Sequence, residues 1–140
     1  MDMFEKVLVA VDLSDHGKKV LEVAKELARK MGSEIRVVHV EEMGFVGRAG
    51  QIPLEKREEA GAVVATAVAD LERAGLKATG TVRAAQTTRI AREIAEEAAE
   101  QGASMIVVGA HGHGGRDGGL IGSTANRLVH VAEVLVLVVP

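Results

Sequence analysis

The chain has 140 residues, with 17 Lys and Arg against 20 Asp and Glu and a net charge of −3. A composition 47% hydrophobic and 26% charged excludes wholesale disorder and a fibrous repeat. The absence of a basic excess argues against a nucleic-acid partner bound through phosphate neutralisation. One folding unit spanning 1–140 is expected, since a chain of this size buries roughly 68–70% of its unfolded surface without a crosslink. With no cysteine there is no disulfide framework, thiolate nucleophile or cysteine zinc site. With Phe4 and Phe45 as the only aromatic residues apart from histidine there is no base-stacking platform. The stretch Met1 to Asp12 is interrupted by Glu5 and Lys6 and lacks a basic start and a cleavage site, so no signal peptide is expected. No apolar run approaches the roughly 20 residues of a membrane span, and the expected location is cytoplasmic, with no membrane partner.

The elements alternate from end to end. Phe4 to Val11 contains Val7-Leu8-Val9-Ala10-Val11, a continuous apolar run suited to a strand buried on both faces. Asp15 to Met31 places Val20, Leu21, Ala24, Leu27, Ala28 and Met31 at helical spacing, with Ser14 or Asp15 positioned as a cap and Gly32 as a stop. Ile35 to Val40 is a second strand. Glu41 to Ile52, with three glycines and no clear period, reads as a loop. Pro53 to Ala74 reads as a long helix, Leu76 to Arg83 as a weaker strand interrupted by Gly80, and Thr88 to Gln101 as a helix closed by Gly102. Met105 to Val108 is a strand, Ser123 to Val131 a short helix, and Val134 to Val139 a last strand.

Five strands alternating with four helices predict an α/β fold, a three-layer doubly wound sandwich around a five-stranded parallel sheet. Such sheets bind ligands outside the carboxyl ends of their strands, where the strand order reverses. Asp12, Val40, Arg83 and Gly109 all fall at predicted strand ends. A carboxylate there, Asp12, suits a ribose hydroxyl, although it also suits the start of the first helix. Arg83 and Arg116 read as solvated arginines.

Seven of the sixteen glycines lie between Gly109 and Gly122. Glycine lets backbone N–H groups converge on anionic oxygens, and Ser123 then opens a helix whose free N–H groups and dipole favour negative charge. Strand, glycine loop and helix start together make a phosphate site. No Gly-Lys-Ser/Thr is present, and Asp117 stands where a dinucleotide fingerprint needs its third glycine. His111 and His113 lack the further ligands of a metal set, so no protein metal site is expected.

The spacing Gly109, two residues, Gly112, nine residues, Gly122-Ser123 resembles the nucleotide-binding motif of the universal stress protein family. The resemblance extends to Val9-Ala10-Val11-Asp12-Leu13-Ser14, Val37-Val38-His39-Val40, Ile106 to Gly112 and Val136 to Val139. It implies a single nucleotide-binding domain, 1–140, that binds ATP with Mg²⁺ and is usually a homodimer. It places Asp12 and Val40 at adenine and ribose, and Gly109, Gly112, Gly122, Ser123 and Thr124 around the phosphates. Ala110 and Ala125 stand where many relatives carry hydroxyls, each removing a hydrogen bond of about 0.5–1.5 kcal/mol net. The Pro-x-Pro turn before the last strand is absent from Val131 to Val134, and Ala84 to Thr87 replaces a Gly-x-Pro turn.

Six consecutive apolar residues, Val134 to Val139, at a sheet edge invite pairing with a second copy, which predicts a homodimer through this segment. With no Walker lysine and no paired carboxylates near the loop, no catalytic residue is assigned. The expected function is a ligand-regulated, ATP-binding module of the stress response. The alternatives are a nucleotide-free dimeric interaction module of the same fold, or a slow ATPase or autophosphorylating enzyme.

Overall fold

A computed structural model describes residues 4–54, 56–111 and 121–140. Its elements are β1 (Lys6–Ala10), α1 (His16–Met31), β2 (Glu34–Val46), β3 (Gly50–Pro53), α2 (Arg57–Arg73), β4 (Ala78–Gln86), α3 (Ile90–Gln101), β5 (Met105–Gly109), α4 (Ser123–Val131) and β6 (Leu135–Val139). Five strands run parallel in the order β4-β2-β1-β5-β6. β1 pairs with β2 on one side and β5 on the other, so the order reverses at β1 and opens a crevice beyond the carboxyl ends of β1 and β5.

The apolar runs produce this arrangement because both faces of the sheet are covered. On one face Val7, Val9, Val37 and Val107 pack under Val20, Ala24 and Ala28 of α1 and Val64, Ala67 and Leu71 of α2. On the other, Leu8, Val38, Val40, Ile106 and Val108 pack under Ala91, Ile94 and Ala98 of α3 and Ala125 and Leu128 of α4. Helices α1 and α3 both end on a left-handed glycine, Gly32 at φ 69° and Gly102 at φ 70°, as their sequences predict.

Four sequence expectations change. The segment read as a loop, Glu41 to Ile52, carries β2 on to Val46 and forms β3, which returns antiparallel through Met43↔Pro53 and Phe45↔Gln51. Because Pro53 ends β3, α2 begins at Arg57. Met43 pairs with Gln86 of β4 and Pro53 of β3, which therefore occupy opposite edges of β2. β3 lies on the edge that β1 uses lower down. β4 also runs through Gly80, where a Cβ would come within 2.5 Å of Val64 and 2.9 Å of Val68. The glycine lets α2 sit close and does not break the strand. Finally, Asp15 occupies the N-cap of α1 without a side-chain bond.

Ala84, Ala85 and Gln86 replace the expected turn because β4 continues through them, paired with Glu41, Glu42 and Met43. β6 lies at the sheet edge, and its side chains alternate between exposed Leu135 and Leu137 and the better-covered positions between them. No helix among the described residues is long and apolar enough to cross a membrane.

Candidate functional site

The ends of β1, β5 and β6 and the starts of α1 and α4 meet at the crevice. Val139 O accepts from Ala110 N–H at 2.8 Å and lies 3.0 Å from His16 Nε2, joining the last strand, the first residue after β5 and the first turn of α1. The His16 and His111 rings are 6.1 Å apart at the same corner.

Gly109 is a glycine for a local reason. A Cβ there would lie 2.7 Å from His16 Cδ2 and 3.1 Å from a Val20 methyl, so α1 could not sit as close to β5. Gly122 is required by close backbone approach. Its φ of −64° suits any residue, but a Cβ would stand 2.9 Å from the Ala110 carbonyl oxygen. Gly122 N–H donates to that same oxygen, so the two residues close the base of the glycine-rich segment. Residues 112–120, and with them Gly112, His113, Arg116 and Asp117, lie outside the described residues.

Ser123 is exposed and Thr124 half-buried in the first turn of α4. The helix has no side-chain cap, and its first internal bond runs from Asn126 N–H to Gly122 O at 3.0 Å. Among the described residues the N–H groups of the first turn have no partner, and they suit an anion, which the helix dipole also favours. Ala125 is 1% exposed and packs in the α3/α4 core, which accounts for its small apolar side chain.

Asp12 follows β1 and is half-buried. Its Oδ1 accepts from Ser14 N–H at 2.9 Å and from the Ser14 hydroxyl, shaping the turn into α1. Gly17 packs against this turn, since a Cβ there would meet Asp12 O at 3.1 Å and Oδ1 at 3.2 Å. The carboxylate thus has the turn-forming role that the sequence also allowed, at the position expected to meet a ribose.

Val40 adds a feature that its side chain, buried among core residues, does not announce. In a β-ladder alternate residues direct both main-chain groups to the same edge. Val38 O accepts from Val11 N–H just past the end of β1, and Glu42 O accepts from Leu54 N–H just past β3, both at 2.9 Å. Val40 lies between them and faces the same edge, where its N–H and C=O find no partner among the described residues. The β2 edge is closed by β1 below, closed by the hairpin above, and open at one residue.

The sequence reading missed three residues here. His39 places Nδ1 2.8 Å from Val11 O, and His16 pins β6. Glu41, assigned to a loop, is a buried residue of β2 whose Oε1 has no hydrogen-bond partner among the described residues. Arg83, expected at a strand end, lies within β4 and is drawn toward α3. Its guanidinium bonds Glu93 at 2.7 Å, Glu97 at 2.8 Å and Glu100 at 3.1 Å, and Glu96 lies 3.5 Å away. Burial opposes the charge on Arg83, but these carboxylates outweigh it and hold its pKa above the ordinary arginine value. No cluster of three or more metal-ligating side chains occurs among the described residues.

Comparison with known proteins finds this chain similar to one family. A family model described as the Universal stress protein family matches residues 3–140. Universal stress protein A homolog 1 of Coxiella burnetii is 32% identical over 97% of this chain and 96% of its own length. A universal stress protein family structure from Burkholderia pseudomallei has a TM-score of 0.78 at 26% identity and covers 100% of this chain and 98% of the other. The universal stress protein from Archaeoglobus fulgidus, solved in complex with dAMP, has a TM-score of 0.72 at 26% identity with 99% of each chain covered.

Proposed function

The chain belongs to the universal stress protein family, and on that footing we propose that it is a single nucleotide-binding domain that takes ATP, carried with Mg²⁺, as a regulatory ligand in the stress response. The observation that carries the proposal is the one-residue opening in the β2 edge at Val40. A main-chain N–H and C=O side by side complement the Watson–Crick edge of adenine, which presents a ring-nitrogen acceptor beside an amino donor. The complex of the Archaeoglobus fulgidus relative with dAMP supports an adenine nucleotide as the ligand class.

With the base at Val40, the ribose lies toward Asp12. The phosphates lie toward Gly109, Gly112, Gly122, Ser123 and Thr124, where uncapped helix N–H groups receive their charge. The residues at the site fit the group. Gly122 brings backbone close without a Cβ in the way, and the α4 N-terminus is left without a side-chain cap. Mg²⁺ would be held by phosphate oxygens and water, neutralising charge at the phosphates. No residue of this chain is assigned to catalysis, and the nucleotide acts as a bound signal.

The second part of the proposal is a homodimer through Val134 to Val139. β6 is an edge strand that exposes Leu135 at 49% and Leu137 at 36%, beside the exposed Val129 and Val131 of α4. Pairing two such edges about a two-fold axis covers both rows of backbone groups and both leucine pairs.

Isothermal titration with Mg-ATP tests the ligand. Saturable binding at micromolar affinity, lost in Gly122→Val, supports the proposal. Absence of heat from protein shown to be nucleotide-free refutes it and leaves the dimeric interaction module as the reading. Sedimentation tests the dimer: a monomer at micromolar concentration sinks it, whereas a dimer that Leu137→Asp dissociates supports it.

A further inference from the structure

We infer that His39 is a positioning residue of the nucleotide site: its imidazole takes the Val11 carbonyl out of the β1–β2 ladder and so leaves the Val40 N–H open for the base. The inference rests on the nucleotide reading above and names the side chain that keeps the main-chain contact of that reading available.

β1 and β2 pair in parallel from Lys6↔Glu34 to Ala10↔Val38, and the same register puts Val11 opposite His39. In a parallel ladder a residue bonds the two residues that flank its opposite number. It gives its N–H to one and takes an N–H from the other. For Val11 those two are Val38 and Val40. The first bond is made, since Val11 N–H donates to Val38 O at 2.9 Å. The second is not, and the Val11 carbonyl accepts from His39 Nδ1 at 2.8 Å instead. A carbonyl only accepts, so Nδ1 carries the proton in this contact. The ladder thus stops with one carbonyl diverted to a side chain and with the Val40 N–H lacking a partner among the described residues.

Strand alternation explains why the diversion opens the edge. His39 projects to the same side as Val37, the side covered by α1 and α2, and Val11 belongs to the core there. A strand side chain stands roughly perpendicular to its sheet, whereas ladder N–H groups lie in the sheet plane. A carbonyl bonded by the ring is therefore tilted away from the Val40 N–H. The contact is also self-sustaining, because His39 is 3% exposed and a buried ring N–H left without an acceptor is costly. A histidine that only filled space would not change which main-chain groups the ladder leaves open. Here one ring nitrogen decides whether β2 presents an N–H at residue 40 or closes it into the sheet. The rival cause is the turn after β1, where the Asp12–Ser14 bonds could bend the chain away without help from the ring.

The test compares wild type with His39→Leu, which removes the donor, and with His39→Asn, whose side-chain N–H can stand where Nδ1 does. Thermal melts check that the variants fold. Amide exchange of the nucleotide-free proteins reads the edge. In His39→Leu the released Val11 carbonyl takes the Val40 N–H, which should exchange about tenfold or more slowly than in wild type. In His39→Asn it should keep the wild-type rate. Calorimetry with Mg-ATP should show about tenfold weaker binding by His39→Leu, restored in His39→Asn, while inorganic triphosphate with Mg²⁺ binds all three proteins alike. Unchanged Val40 exchange in folded His39→Leu overturns the inference by assigning the opening to the Asp12 turn. Equal losses of ATP and triphosphate overturn it too, since the fault is then general. If His39→Leu does not fold, wild type still decides. A hydrogen-bond scalar coupling from His39 Nδ1 to the Val11 carbonyl carbon supports the inference, and one from the Val40 amide nitrogen to that carbon overturns it. If wild type binds no nucleotide, the nucleotide reading fails, an outcome distinct from these because exchange and coupling are read on the free protein.

Discussion

Glu97 and Glu41 are buried to nearly the same degree, 3% and 4% exposed, and their surroundings are opposite. Glu97, on α3, bonds Arg36 through one oxygen and Arg83 through the other, both at 2.8 Å, and Arg83 bonds further carboxylates of the same helix. Glu41, just past the middle of β2, has no such partner among the described residues. Burial alone therefore does not tell a carboxylate whose charge is met within the fold from one whose charge is not. The satisfied carboxylate holds α3 against the sheet. The same division separates the two regions at large. The α3 face closes its polar groups on itself, while the carboxyl end of the sheet leaves a strand edge and a helix start open.

The largest expected effect tests the closed side. Glu97→Ala leaves two half-buried guanidinium groups short of a partner and should cost about 3–5 kcal/mol in urea unfolding, with ATP affinity unchanged. Stability loss without ligand loss would place the network outside the binding site. A matching fall in affinity would break the distinction.

Gly122→Val probes the open side. The new Cβ meets a backbone oxygen at 2.9 Å that no rotamer can relieve, so the base of the glycine-rich segment must shift. ATP affinity should fall about 100-fold, a change of roughly 2.8 kcal/mol in binding, with the melting temperature lowered less than in Glu97→Ala. Calorimetry and thermal melts together read both.

Acid should act on the closed side first. Burial raises the pKa of Glu97, but Arg36 and Arg83 outweigh it and hold the carboxyl below its ordinary value. A group depressed in the folded state contributes stability that is complete above the unfolded carboxyl range and is lost as pH falls through that range toward the folded value. Urea midpoints should therefore drop below about pH 4.5, and Glu97→Gln should flatten that drop.

The smallest effect concerns Asp12, which stands between the two categories because it both shapes a turn and faces the crevice. Asp12→Ala should cost about 0.5–1.5 kcal/mol of stability through the Ser14 bonds. It should weaken ATP several-fold while leaving inorganic triphosphate nearly untouched. Equal losses for both ligands would confine Asp12 to the turn.

The four helices and five parallel strands were legible because long apolar runs and helical periods are local signals, and so was the clustering of glycines at Gly109 and Gly122. The reasons for those glycines were not legible. His16 against Gly109 and the Ala110 oxygen against Gly122 are contacts between segments remote in space until the chain folds. The β2–β3 hairpin escaped notice because Glu41-Glu42-Met43-Gly44 shows no alternation of polar and apolar residues. Its pairing comes from β4 on one edge and the returning Gly50–Pro53 on the other. Val40 was placed at the site through its resemblance to a family position, since an open main-chain edge has no side-chain signature. Glu41 was hidden for the same reason, because the burial of a carboxylate follows from tertiary packing.

The interrupted edge of β2 also works as a ruler. Val38 and Glu42, the last residues gripped by β1 and by the hairpin, are four residues apart, about 13 Å along an extended strand. That is space for one flat heterocycle lying edge-on in the plane of the sheet, and too little for another polypeptide strand to slip in. On the proposed reading the base completes the ladder as a surrogate residue, so the sheet becomes continuous only when the ligand arrives. Amide hydrogen exchange would show this directly as slowing at Val40.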